Sequence, residues 1–185
     1  GDFPQTGSRE LTADDYIYQI KRLALPRIHS PIFGMMADRI IGLRELGEAL
    51  RKAAKDIPAD AWIDLDAFPL SGVEKVDRHA LRIRIKGKYP QFLFWLAMPF
   101  FAPVPREADR FFAQPGMAAR NLTLDWWPVG TGPFMLSEND PNRRMVLSRN
   151  PNFAGRQTYP CAGGEGDREA GLLADCGRPL PLIDQ

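Results

Sequence analysis

The sequence predicts a mixed α/β fold of the α+β kind, on three observations. Apolar residues recur at helical spacing in 13–25 and again within 40–55. Leu81, Ile83 and Ile85 alternate with Arg82, Arg84 and Lys86. Two apolar runs, 134–136 and 145–147, flank a dense cluster of turn formers. The resulting order is helices, a hairpin, a helix, a long loop and a second hairpin.

The first helix is expected over 13–25. Thr12 stands before the apolar series Ala13, Ile17, Ile20 and Ala24, Asp15 follows three positions later in the manner of a capping box, and Pro26 ends the run. After the turn "PRIHSP", Leu43, Leu46 and Leu50 recur at three- and four-residue steps. Basic residues follow them and suit a helix C-terminus, so a second helical region is expected within 40–55.

At "GVEKVDRHALRIRIKGKYP" the period changes from helical to two-residue. The alternation over 81–86 gives one apolar and one charged face, a half-buried strand, and Val73 and Val76 precede it across Asp77-Arg78-His79, which predicts a hairpin. "YPQFLFWLAM" reads as a short, strongly apolar helix. "FFAPVPREADRFFA" combines a proline-stiffened loop with one or two helical turns.

The stretch "WWPVGTGPFMLSENDPNRRMVLSRNPNFAG" contains a turn, Gly130-Thr131-Gly132-Pro133, that superficially suits a phosphate cradle. Pro133 removes one amide donor, no lysine follows, and Phe134 to Leu136 read as a strand and not as a helix start, so the glycines read as backbone hinges. Asn139-Asp140-Pro141-Asn142 turns the chain into a second strand, and Asn150-Pro151-Asn152 stops it.

Of the 185 residues, 44% are hydrophobic and 25% charged, as in an ordinary globular protein. Twenty-four basic and 23 acidic side chains are interleaved to a net charge of +1, so the overall charge implies neither nucleic acid nor an anionic membrane as partner. The longest apolar run, 92–101, is interrupted by Pro99 and falls far short of the roughly 20 residues that cross a bilayer. The first residues lack the basic-then-apolar plan of a signal peptide. Cys161 and Cys176 bracket one loop rich in glycine and charge. They point to a disulfide and hence an oxidising compartment, with two unrelated free thiols as the alternative.

Little in the chain supports catalysis. Only His29 and His79 could act as an imidazole base. His79 falls in a predicted turn, and His29 sits beside Ser30 without a nucleophile elbow. Asp64 and Asp66 lack the further oxygens and the glycine of a calcium loop, so solvation and capping are the expected roles, and no metal or cofactor is expected. Arg82, Arg84, Lys86 and Lys88 form a basic strip without interleaved aromatics, which reads as a solvated strand face. The unusual feature is the abundance of large rings near proline- and glycine-rich loops: Phe92, Phe94, Trp95, Phe100, Phe101, Trp126 and Trp127. Such rings line concave binding surfaces, and for any single ring a place in the core is the competing reading.

Taken in order, "GSRELTADDYIYQIKRL", "VEKVDRHALRIRIKGKYPQFLFWLAMPFFAPVPREA", "PVGTGPFMLSE" and "RMVLSRNPNFAG" closely resemble the bacterial extracellular solute-binding proteins of family 5. That family includes oligopeptide-, dipeptide- and nickel-binding components of ABC importers. The resemblance implies a non-enzymatic, two-lobed binding protein, periplasmic or otherwise extracytoplasmic, that traps a small solute, most often a peptide, and passes it to a membrane permease. An extracytoplasmic hydrolase or a structural module on the same scaffold is the rival reading.

Family members are more than twice as long, so the chain is expected to be an incomplete piece of the first lobe. Residues 1–128 would form a small α/β subdomain. Residues 129–185 would return to the main sheet and carry the cysteine-bracketed loop, with Gly130, Thr131 and Gly132 as the hinge between them. The resemblance places the "AMPFFAPVP" loop toward the cleft. With the ring-rich segment before the hinge, it makes Met98, Phe100, Phe101, Trp126 and Trp127 the candidate ligand-binding residues.

Overall fold

A computed structural model describes residues 9–58 and 61–153. The elements in chain order are α1 (Ala13–Arg22), α2 (Phe33–Arg39), α3 (Leu43–Ala53), β1 (Val73–Lys75), β2 (Leu81–Ile83), α4 (Phe92–Leu96), α5 (Arg106–Phe112), β3 (Phe134–Asp140) and β4 (Arg144–Arg149). The strands form two separate antiparallel hairpins, β1 with β2 and β3 with β4.

Helix α1 starts where expected. The Asp15 carboxylate accepts the Thr12 amide at 2.8 Å, closing the capping box. It ends at Arg22, three residues before the expected boundary. Leu25 is already extended (ψ 124°) because the ring of Pro26 disfavours helical geometry in the residue before it.

The helical region expected within 40–55 starts later, at Leu43, and the shorter helix α2 precedes it. Ile40 is extended and Gly42 adopts a left-handed conformation (φ 80°), which separates α2 from α3. Ile40 instead bridges Ile85, and the amide of Lys86 donates to the Arg39 carbonyl at 2.7 Å. The alternating segment 81–86 thus serves two partners, β1 through Leu81–Ile83 and the chain around Ile40 through the bridge at Ile85 and the Lys86 amide.

The core gathers Tyr18, Ile20, Leu23 and Leu25, with Met36, Ile40, Leu43, Leu46 and Leu50 from α2, α3 and the break between them. Leu65, Leu70, Val73, Phe92 and Phe101 close it from the other side. Leu43, Leu46 and Leu50, singled out by periodicity, all point inward.

Two close approaches shape this core. A β-carbon on Gly72 would lie 2.2 Å from the Ile41 carbonyl oxygen, so only glycine fits beneath the turn between α2 and α3. A β-carbon on Gly47 would lie 2.4 Å from the tip of the Phe33 ring, a side chain and not backbone. The second hairpin differs in character. Leu136 pairs with Leu147 and Asn139 with Met145, with an irregularity between Leu136 and Glu138, and Phe134, Met135, Met145 and Leu147 are all exposed. Among the described residues, no helix is long and apolar enough to cross a membrane.

Candidate functional site

The loop expected to approach a ligand is fastened to α1 from two sides. The Gln19 side chain, buried on α1, donates to the Phe100 carbonyl at 2.7 Å, and the Val104 amide donates to the Asp15 carbonyl at 3.4 Å. Within the loop the side chains separate. Phe101 is 3% exposed and packs edge-to-face on Phe92 with ring centroids 6.4 Å apart, so its side chain belongs to the core. Phe100 is half-buried against that core, and Met98 is exposed.

Trp126 and Trp127 lie beyond α5, next to the second hairpin. Trp126 is exposed and its carbonyl accepts from the Asn139 side chain at 2.6 Å, while Trp127 is half-buried and its amide donates to the Thr123 carbonyl at 2.9 Å. Among the described residues the ring pairs are Phe92 with Phe101 and Phe111 with Phe112, and no ring contact brings the tryptophans to the Met98–Phe100 side.

Gly130, Thr131 and Gly132 are exposed, and neither glycine has a positive φ. A β-carbon at Gly130 would meet nothing within 4 Å, and one at Gly132 only the Phe134 carbonyl oxygen at 3.8 Å. Their present conformation therefore does not demand glycine. What does hold the turn is Asn150, whose amide donates to the Pro133 carbonyl at 2.8 Å and whose side chain donates to the Gly132 carbonyl at 2.9 Å. Cys161 and Cys176 lie outside the described residues.

A second feature is an open depression of about 680 Å³ lined chiefly by charged groups, among them Arg9, Asp15, Asp66, Arg106 and Glu107. The arginines are engaged by neighbours. Arg9 bridges Asp15 and Glu107, and Arg106 joins Asp64 at 2.9 Å and Asp66 while its guanidinium lies 5.3 Å from the Trp62 ring. Arg9 holds the Glu107 carboxyl below its ordinary range. Burial works to raise Asp15, but hydrogen bonds from Arg9 and the Thr12 amide outweigh it, and Asp15 too is held low. This is a latch joining the N-terminal segment, α1 and α5, with its charges spent on one another. Asp64 also caps the short turn after it, accepting the Asp66 amide at 3.1 Å, in line with the capping role expected from sequence.

Sequence reasoning missed the buried carboxylate of Asp109. It accepts from the Tyr18 hydroxyl at 2.7 Å, Arg22 Nε at 3.1 Å and an Arg27 guanidinium nitrogen at 2.8 Å. Burial, then the charge of Asp109, pushes the Tyr18 hydroxyl well above its ordinary pKa. The available signal was Tyr18 and Arg22 at a four-residue step on α1, two polar tips on the face otherwise buried. The histidines do nothing comparable. His79 is exposed in its turn and its Nε2 meets Glu10 at 2.8 Å, and His29 ends a short helical turn in a left-handed conformation.

The chain belongs to the bacterial extracellular solute-binding proteins, family 5, whose family model matches residues 5–162. It is 27% identical to the periplasmic oligopeptide-binding protein OppA of Salmonella typhimurium over 77% of this chain and 23% of that protein. It is 29% identical to the periplasmic murein peptide-binding protein MppA of Escherichia coli, again over 77% and 23%. The nickel-binding periplasmic protein of Escherichia coli is 31% identical over 52% of this chain and 17% of its own length. In fold, the chain is similar to the substrate-binding domain of an oligopeptide ABC transporter from Bacillus anthracis, with a TM-score of 0.54 over 80% of this chain and 24% of that one at 21% identity.

The chain therefore spans about a quarter of the length of these relatives. The relatives are binding proteins of transporters, not enzymes, and membership of the family places this protein outside the cytoplasm.

Proposed function

We propose that this chain is part of the first lobe of a peptide receptor that serves an ABC importer and delivers its solute to a membrane permease. One observation carries the proposal: the family match over residues 5–162, shared with relatives named for oligopeptide and murein-peptide binding. In this reading residues 1–128 form the small subdomain and 129–185 the return to the main sheet. Gly130, Thr131 and Gly132 connect them.

Met98 and Phe100, in the loop whose Phe100 carbonyl is held to α1 by Gln19, and Trp126 and Trp127, beside the second hairpin, are the side chains offered to the solute. Phe101 supports them from the core and does not reach the solute. Apolar rings and backbone amides suit a peptide, whose main chain supplies regular hydrogen-bonding groups and whose side chains vary.

The test is calorimetric titration of the full-length protein, with a peptide panel, nickel ion and a panel of other small solutes as separate arms. Saturable binding of peptides, weakened when Met98 and Phe100 are replaced by alanine, supports the proposal. Binding of nickel alone or of a non-peptide solute alone overturns the peptide assignment. Hydrolysis of the peptides that disappears in His29→Ala overturns the receptor assignment.

A further inference from the structure

Successive turns of α1 grip the chain from Phe100 to Asp109. The Asp15 carbonyl accepts the Val104 amide, the Gln19 side chain donates to the Phe100 carbonyl at 2.7 Å, and Tyr18 and Arg22 bind the Asp109 carboxylate on α5. The Gln19 contact answers a deficit written into the loop's own sequence. Pro99–Phe101 is a single helical turn, in which the Phe101 amide donates to the Met98 carbonyl and the Ala102 amide to the Pro99 carbonyl, both at 3.0 Å. The next bond of that series would run from residue 103 to the Phe100 carbonyl, but residue 103 is proline and has no amide hydrogen. Pro103 also keeps Ala102 extended (ψ 128°), so the turn ends there. Val104, one residue further on, gives its amide to Asp15. The Phe100 carbonyl therefore takes its donor from Gln19, 81 positions earlier in the chain.

The donor is itself held firmly. Gln19 is 7% exposed, and its helix is tied to α5 by the neighbouring Tyr18 and by Arg22. Gln19 Oε1 is buried and takes no donor among the described residues, so the side chain acts on the loop through Nε2. A peptide unit is planar, so holding the Phe100 carbonyl orients the whole plane that joins Phe100 to Phe101. Phe101 is already fixed in the core against Phe92, which leaves Phe100 little freedom once its carbonyl is held.

We propose that Gln19 is the positioning residue of the solute-side loop: it replaces the backbone donor that Pro103 removes and so sets Phe100 before the solute arrives. The role rests on the reading that Met98 and Phe100 meet the solute. Its contribution to affinity is preorganisation, since a loop already held need not be ordered on binding.

Hydrogen exchange and calorimetry on the full-length protein test the two halves separately. Gln19→Met keeps the length of the side chain and loses the donor. It is expected to speed exchange of the Phe101 and Ala102 amides about tenfold while the amides of α3 keep their wild-type rates, and to weaken peptide binding about five- to tenfold, the worth of one hydrogen bond. Gln19→Glu can donate to a carbonyl only while protonated. It should approach wild type at mildly acidic pH and match Gln19→Met at alkaline pH, each compared with wild type at the same pH. Unchanged loop exchange in Gln19→Met overturns the proposal, as does an equal rise in α3, which would mark a general loss of stability. Replacing both Met98 and Phe100 with alanine separates the remaining cases. Weaker binding in that variant but not in Gln19→Met overturns the positioning role and leaves the solute-side reading intact. Unchanged binding in both overturns the solute-side reading, and the role with it.

Discussion

Asp109 shows how much a single buried carboxylate can organise. Its two oxygens collect one hydroxyl and two guanidinium groups from α1 and the turn after it, so α5 is tied to α1 across the sequence. Asp109→Ala leaves Arg22 and Arg27 without their counter-ion, and the expected loss is about 3 kcal/mol in urea unfolding, since removal of one partner strands the other's charge. The same network makes Tyr18 a titration sensor. Its pKa is raised in the folded state, so its contribution is complete below the ordinary tyrosine range and is lost as pH climbs above about 10. Thermal unfolding followed from neutral to strongly alkaline pH should therefore fall, and Tyr18→Phe should flatten that slope while lowering stability at neutral pH. An unchanged slope in Tyr18→Phe assigns the alkaline loss to other groups.

At the scale of elements, the glycines divide by what surrounds them. Gly72 sits under the Ile41 carbonyl, a backbone atom that cannot swing aside, so Gly72→Ala is expected to lose about 1–3 kcal/mol from overpacking. Gly132 has open space and no positive φ, so Gly132→Ala should leave stability unchanged or raise it by up to about 1 kcal/mol through the unfolded chain. Urea unfolding of both variants makes the comparison, and equal losses refute it. The contrast also marks what was legible in the sequence. The glycine–threonine–glycine turn stood out as punctuation, whereas Gly72 looked ordinary, because its constraint is a through-space approach by Ile41 and not a local pattern. Helix α3 and both hairpins were legible because their periodicity is local. The break between α2 and α3 was not, since it depends on Ile40 pairing with Ile85, far along the chain. For the ring-bearing loop, composition marked the aromatics as a group, but only packing separates Phe101 in the core from half-buried Phe100 and exposed Met98.

For the whole molecule the open hairpin is decisive. β3 and β4 pair with each other, yet Phe134, Met145 and Leu147 stay exposed, so within the described residues this hairpin has an apolar face that nothing covers. A receptor of the proposed kind gains affinity when two lobes surround the solute and expel water, and a surface drawn from one side leaves it half solvated. The 185-residue chain by itself is therefore expected to fold its helical core, self-associate through the hairpin, and bind the solute at least tenfold more weakly than the full-length protein. Sedimentation velocity tests the association, and Leu147→Lys, placed on the exposed strand β4, should reverse it. Calorimetry of both forms with the same peptide tests the affinity. Equal affinities would place the entire solute site within these residues and contradict the division of labour between lobes.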